Sequence, residues 1–347
     1  MVISVHLCGF QTVGIGEPET VGFGTIPVRS GLKRSPVTEG GIDMRLRTLF
    51  LVAVATLVIS GAAGAASFTQ VVVLGDSLSD NGNLFAATGI PPAPYYQGRR
   101  SDGPVAVEYL AQRIGAPLLD LAWIGATTGI GNYGDGGSPD SFGAFNLPGM
   151  TTVFQQTFVL NALPVDPNAL YVVWGGSNDF FGLTNPADAG LFISRAITNI
   201  LTLVGSLQSL GAQHFLVPNL PDLGRTPEAL ADPAVSFFLT SVSAQFNGTL
   251  HSALPAGVRY FDTFGIMTDI LADPAKYGLT NVTSSCFDGT TVCSDPSQYL
   301  FWDNVHPTTV GHGILGNAMA DAVPEPSSVI LMLTGLGILT AAGLRRR

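Results

Sequence analysis

Charged side chains are scarce, at 12% of 347 residues, and they lean to one sign, with 15 Lys and Arg against 25 Asp and Glu. Over residues 67–323 the imbalance sharpens to 7 against 20, a formal charge near −13. A surface so poor in cations argues against nucleic acid and anionic lipid as partners, because phosphate binding draws on Lys and Arg. Neutral substrates fit it better. Cysteine is rarer still, at 3, and Cys8 lies in a segment expected to be lost. Cys286 and Cys293 remain, seven residues apart, and in an oxidising compartment they are expected to form a disulfide contributing roughly 2 to 3 kcal/mol. Two thiols with no His or Cys pair nearby do not make a metal site, so no metal is expected.

Long apolar runs are confined to the two ends. From Met44 the chain reads Arg45 and Arg47, an apolar run over 49–59 and small residues over 60–66, the three-part layout of a secretory signal. Residues 1–43 precede that start without sustained periodicity and are expected to be a mis-assigned or disordered N-terminal extension, with 44–66 the signal peptide. At the other end, an apolar run over 329–344 is closed by Arg345, Arg346 and Arg347 and preceded by Pro324-Glu325-Pro326. The run is short for a bilayer span, and the basic triplet would stay cytoplasmic. Residues 324–347 resemble the PEP-CTERM sorting signal of Gram-negative bacteria. That resemblance implies an exosortase-type processing enzyme as partner, transient association with the inner membrane, and delivery to the periplasm, cell surface or matrix. A plain C-terminal anchor is the alternative.

The intervening residues 67–323 are expected to form one working domain. Short β-branched runs at 70–74, 169–174, 214–217 and 258–261 alternate with helical patterns, which predicts βαβ units and a parallel sheet. Ile193, Ile197, Ile200, Val204 and Leu207 recur at spacings of three and four, predicting a helix over 190–210 stopped by Gly211. Asp232 and Pro233 open a second helix whose stripe, Val235, Phe238, Leu239, Val242 and Phe246, is expected in the core. The match to GxGxxG at 129–134 is followed by Gly136, Gly137 and Pro139 rather than a helix, so 125–146 is expected to be a loop and no nucleotide site.

The first strand runs into Gly75-Asp76-Ser77-Leu78-Ser79-Asp80. A Ser at the carboxyl end of a parallel strand stands where open α/β sheets bind ligands, and a helix directly after it would aim N–H groups at developing negative charge. Its hydroxyl needs an imidazole to take its proton, and the imidazole needs a carboxylate to hold it. Asp303 and His306, three apart in one turn, can supply both. His214 and His251 lie in strand and helix contexts that suit structural roles, and His312 is poorly spaced for joint metal ligation with His306.

Gly75-Asp76-Ser77-Leu78-Ser79-Asp80-Asn81-Gly82-Asn83 resembles the first block of the GDSL, or SGNH, lipase/esterase family. Leu121-Ala122-Trp123-Ile124-Gly125-Ala126-Thr127 is similar to the second block, with Ile124 where a second Gly is common. Gly176-Ser177-Asn178-Asp179 resembles the third, and Asp303-Asn304-Val305-His306-Pro307 the last. The resemblance implies a three-layer α/β/α, flavodoxin-like domain, the same α/β class that the alternating pattern predicts. It implies Ser77 as nucleophile, Asp303 and His306 completing a triad, an oxyanion hole from Ser77, Gly125 and Asn178, and no cofactor. Asp76 and Asp179 are expected to be structural supports. The Tyr, Phe and Leu of expected rim loops at 91–96, 125–146 and 180–187 suggest an acyl or aromatic ester pocket, and the resemblance of the blocks to the longer lipase-like branch of the family favours a carboxylesterase or lipase. A polysaccharide O-deacetylase of the same fold and a non-catalytic surface or matrix protein are the alternatives.

Overall fold

The computed structural model describes residues 68–183 and 185–323. The expected N-terminal extension, signal peptide and C-terminal sorting segment lie outside the described residues.

Five parallel strands form the central sheet: β1 (Val71–Gly75), β2 (Leu118–Asp120), β3 (Leu170–Trp174), β4 (His214–Pro218) and β5 (Val258–Phe261), in the order β2-β1-β3-β4-β5. This is the flavodoxin-like order, and helices cover both faces. Val72, Leu74, Tyr171, Val173, Phe215 and Val217 face α4 (Ala189–Ser209) and α6 (Pro233–Ala253). Val71, Val73, Leu170, Val172, Trp174 and Leu216 face α2 (Ala106–Ile114) and α8 (Thr309–Ala322). Burial on both faces explains why the central strands read as continuous apolar runs rather than as alternation. The remaining helices are α1 (Asn83–Thr88), α3 (Met150–Phe154), α5 (Pro227–Leu230) and α7 (Thr263–Ala272).

The apolar stripe of α4 ends in a Schellman closure, with Ala212 N–H donating to Leu207 and Gly211 N–H to Gln208, at φ 110° for Gly211. This helix is long and apolar enough to cross a membrane by composition, but its stripe packs on the sheet. His214 meets Phe68 edge-on at 5.4 Å, and His251 lies at 4.5 Å from Tyr260. Both are packing residues.

Three features depart from expectation. In the stripe of α6, Val242 and Phe246 are buried in the core and half-buried Phe238 packs against it, but Val235 is 42% exposed and Leu239 is half-buried. Val235 and Leu239, in the first half of that helix, wall a cleft instead. β2 is a three-residue, half-buried edge strand with no apolar run to announce it. β6 (Asn281–Ser285) and β7 (Tyr299–Phe301) pair in a separate two-stranded sheet, and the polar sequence of β6 carries no strand signal.

Close contact between α2 and α8 depends on small residues. A Cβ at Gly316 would lie 2.2 Å from the Ala106 carbonyl oxygen and 2.6 Å from Tyr109 Cβ. Gly316→Ala must therefore push the helices apart, and overpacking of this kind costs about 1 to 3 kcal/mol. Urea unfolding should show a lower midpoint with an unchanged slope; an unchanged midpoint would mean the helices separate without penalty.

Candidate active site

Ser77 sits just beyond β1, beside the crevice where the chain order reverses between β1 and β3, the usual ligand position in such sheets. Its turn is closed by Asp76, whose carbonyl accepts from Ser79 and Asp80 N–H and whose Oδ1 accepts from Leu78 N–H at 3.0 Å. The helix that follows this turn does not begin at Ser77 itself. Asp80 delays it: its carboxylate accepts from Gly82, Asn83 and Leu84 N–H, capping α1 six residues beyond Ser77.

The same Asp80 reaches across to the second loop, accepting from Ile124 N–H at 2.8 Å. Asp120 adds to this tie by accepting from Asn81 and Ala122 N–H, while Asn83 Nδ2 donates to the Asp120 and Ala122 carbonyls. Gly125 is thereby held beside Ser77. Its φ of 80° suits glycine, and a Cβ there would lie 2.3 Å from Asn132 Oδ1. Among the described residues, neither Ser77 nor Gly125 N–H donates to a protein acceptor. Asn178, in the turn after β3, spends one amide hydrogen on the Ala126 carbonyl at 3.0 Å and keeps the other. Asp179 beside it accepts from Thr128 N–H and Oγ1, so the second and third loops are also tied.

On the far wall, β7 leads into the turn at Asp303. Asp303 Oδ1 accepts from Val305 and His306 N–H at 3.0 and 2.8 Å, which turns both side chains to one side. His306 Nδ1 lies 2.8 and 2.9 Å from the two Asp303 oxygens, and its Nε2 lies 2.9 Å from Ser77 Oγ. Burial alone would raise the Asp303 carboxyl, but the His306 ring and the two N–H donors outweigh it and hold the group well below the usual carboxylate range. The structure thus brings Ser77, Asp303 and His306 into one hydrogen-bonded chain, with Gly125 and Asn178 at its other side.

Cys286 and Cys293 are joined as a disulfide with Cα atoms 4.8 Å apart. Their loop is fastened to β7 through Cys286 N–H to Phe301 and Phe287 N–H to Trp302, one residue before Asp303. Tyr95, which sequence reasoning placed only on a rim loop, donates its hydroxyl to Asp303 Oδ2 at 2.9 Å. Burial, with the adjacent Asp303 charge, pushes the phenol up to about 12, so it remains a donor. A cleft of about 680 Å³ opens on these groups, walled by Tyr133, Phe181, Leu223, Val235, Leu239 and Phe287. Tyr133 and Phe181 stack at 4.7 Å along one side. Among the described residues, no group of three His, Cys, Asp or Glu could hold a metal.

Residues 71–319 match the GDSL-like Lipase/Acylhydrolase family. The chain belongs to that family. It is therefore a hydrolase acting on ester bonds, and residues 322–347 match the PEP-CTERM protein-sorting motif, which marks an exported protein. A phosphatidylcholine-sterol acyltransferase of Aeromonas hydrophila is 27% identical over 326 residues, covering 78% of this chain and 94% of that protein. Esterase EstA of Pseudomonas aeruginosa is 28% identical over 323 residues; the match takes 78% of this chain and 49% of EstA, about half its length. A solved lipase from goat rumen metagenome is 13% identical with a TM-score of 0.43, covering 73% of this chain and 96% of that one.

Asp76 and Asp179 do support turns, and the support is charged at a cost. Burial pushes each carboxyl up to about 6, against the pull of the N–H groups each accepts, and Asp76 Oδ2 has no partner among the described residues. Because the folded pKa of Asp76 lies above its unfolded value near 3.8, ionisation opposes folding. That penalty grows from about pH 4 to pH 6 and is full above it, at most ~3 kcal/mol. Asp76→Asn, whose amide oxygen can still accept from Leu78, is expected to stabilise the fold at pH 8 and to lose that gain by pH 4. Urea titrations at both pH values check this; a gain independent of pH would mean that folding leaves the Asp76 pKa at its unfolded value.

Proposed function

We propose that this enzyme cleaves carboxylic esters of apolar acyl chains through an acyl-Ser77 intermediate. The observation that carries the proposal is the 2.9 Å contact of Ser77 Oγ with His306 Nε2 at the floor of an apolar cleft. In this scheme His306 takes the Ser77 proton as the hydroxyl attacks the ester carbonyl, then returns it to the leaving alcohol. Asp303 keeps the Nδ1–H tautomer in place and stabilises the imidazolium. The tetrahedral oxyanion faces the N–H groups of Ser77 and Gly125 and the spare amide hydrogen of Asn178. A donor of this kind is worth about 10²- to 10³-fold in rate. Water, activated by His306, then releases the acyl group.

The walls of the cleft support the acyl assignment. Tyr133, Phe181, Leu223, Val235 and Leu239 make the lining chiefly apolar, alongside the charged Arg100, Glu228 and Asp288, and each methylene buried against the apolar surface gains about 0.8 kcal/mol. On p-nitrophenyl esters, kcat/KM is expected to rise from acetate to octanoate. Ser77→Ala and His306→Ala should abolish turnover, Asp303→Asn should lose about 10⁴-fold through the wrong tautomer, and Asn178→Ala should lower kcat more than it raises KM. Preference for acetate, with acetate released from acetylated glycans, would make the enzyme a polysaccharide O-deacetylase; a folded protein whose Ser77 takes no fluorophosphonate label would make it non-catalytic.

The sorting motif supports a further step, in which an exosortase-type enzyme cuts near Pro324-Glu325-Pro326 after the apolar segment has held the folded domain at the inner membrane. Two prolines around Glu325 favour extended backbone suited to a processing cleft. Mass spectrometry of the extracellular form should find a C-terminus close to Glu325. Recovery of membrane-embedded protein ending only at Arg347 would make the tail a simple anchor.

A further inference from the structure

We infer that Tyr95 is a positioning residue for the triad, fixing the Asp303 carboxylate through a hydrogen bond to Oδ2 and so setting the basicity of His306. Tyr95 has this role only if Ser77, His306 and Asp303 work as proposed above.

The two oxygens of Asp303 are served unequally. Oδ1 accepts from two backbone N–H groups as well as from the His306 ring, whereas Oδ2 has the ring and the Tyr95 hydroxyl. The Asp303 side chain is only 13% exposed, so solvent does little to replace a missing donor. Without Tyr95, Oδ2 shares its one remaining donor with Oδ1. More negative charge then faces the imidazole, and the carboxylate loses its second fixed point.

The phenol is itself held on three sides. Its ring meets Phe287 and Trp302 edge-on at 5.7 and 6.3 Å, and those two stack on each other at 5.7 Å. The Arg100 guanidinium covers the Tyr95 ring at 5.1 Å. Side chains of the same loop dock it on the residues that follow His306: Ser101 Oγ donates to the Pro307 carbonyl at 3.0 Å, and Asp102 Oδ1 accepts from Thr309 N–H at 2.7 Å. Phe287 belongs to the disulfide loop, so that loop reaches Asp303 by two routes, through the β7 backbone and through Tyr95.

A hydrogen bond that disperses carboxylate charge lowers the basicity of the imidazole it faces. Removing it leaves more negative charge opposite the imidazole, and the acid limb of the rate profile is expected to move to higher pH. Tyr95→Phe is therefore expected to lower kcat about tenfold, the worth of one hydrogen bond to a charged group, with KM changed less than twofold. Its acid limb in kcat/KM should move up by about half a pH unit. Phe287→Ala should reproduce part of both effects in the wild type and add less than twofold to Tyr95→Phe, because both act through one contact. An acid limb that stays in place in Tyr95→Phe, or a change confined to KM, overturns the inference and makes Tyr95 a substrate contact or a packing residue. Additive losses in the double variant overturn the part played by Phe287. Ser77→Ala measured alongside separates the two levels: if it retains wild-type activity the triad itself is wrong, and if it is inactive while Tyr95→Phe is unperturbed only the role of Tyr95 falls.

Discussion

Backbone N–H groups in the loops above the sheet find their acceptors on buried carboxylates, and the geometry of the site depends on that arrangement. Asp80 gathers Gly82, Asn83, Leu84 and Ile124; Asp120 gathers Asn81 and Ala122; Asp179 holds Thr128; Asp303 holds Val305 and His306. These loops leave the ends of strands and have no ladder to satisfy them, so each donor would otherwise be buried without a partner. A carboxylate can accept several at once. Asp80, for example, joins the Ser77 loop to the Gly125 loop through a single side chain.

Such anchors are costly to ionise away from water. Burial raises Asp76, Asp80, Asp120 and Asp179 above the ordinary carboxylate range despite the donors around them. Asp303 runs the other way, because it faces an imidazole as well as two N–H groups. Four carboxyls that resist charge therefore tie the loops of one wall, and one that is firmly ionised faces the imidazole on the other. Structural and chemical roles are separated by partner rather than by residue type.

Parallel pairing of β1 with β3 supplies the frame. Gly75 lies opposite Trp174, so the loops carrying Ser77 and Asn178 leave adjacent strands at the same level. The wall opposite is built from the end of the chain, where the disulfide loop and β7 present Asp303 and His306. Between the two walls, the first half of α6 offers Val235 and Leu239 to the cleft. An exposed apolar surface that would be a liability elsewhere is here the lining of a substrate groove.

Much of this was legible from local sequence. The strands of the central sheet announce themselves because burial on both faces demands unbroken apolar runs, and α4 because its stripe and Gly211 lie within one segment. Ser77, Asp303 and His306 suggested a nucleophile, carboxylate and base from their own short turns, whereas Gly125 and Asn178 stood out only through the resemblance of their blocks to those of the family. Tyr95 did not: it meets Asp303 across 208 residues, and only the docking of its loop brings them together. Asp120 likewise closes half of an edge strand too short to show a period, and β6 is a strand only because β7 pairs with it. The stripe of α6 has one helical period throughout, yet Phe238, Val242 and Phe246 face core while Val235 and Leu239 face the cleft. Periodicity records which side of a helix is apolar; what covers that side is decided by where the sheet ends.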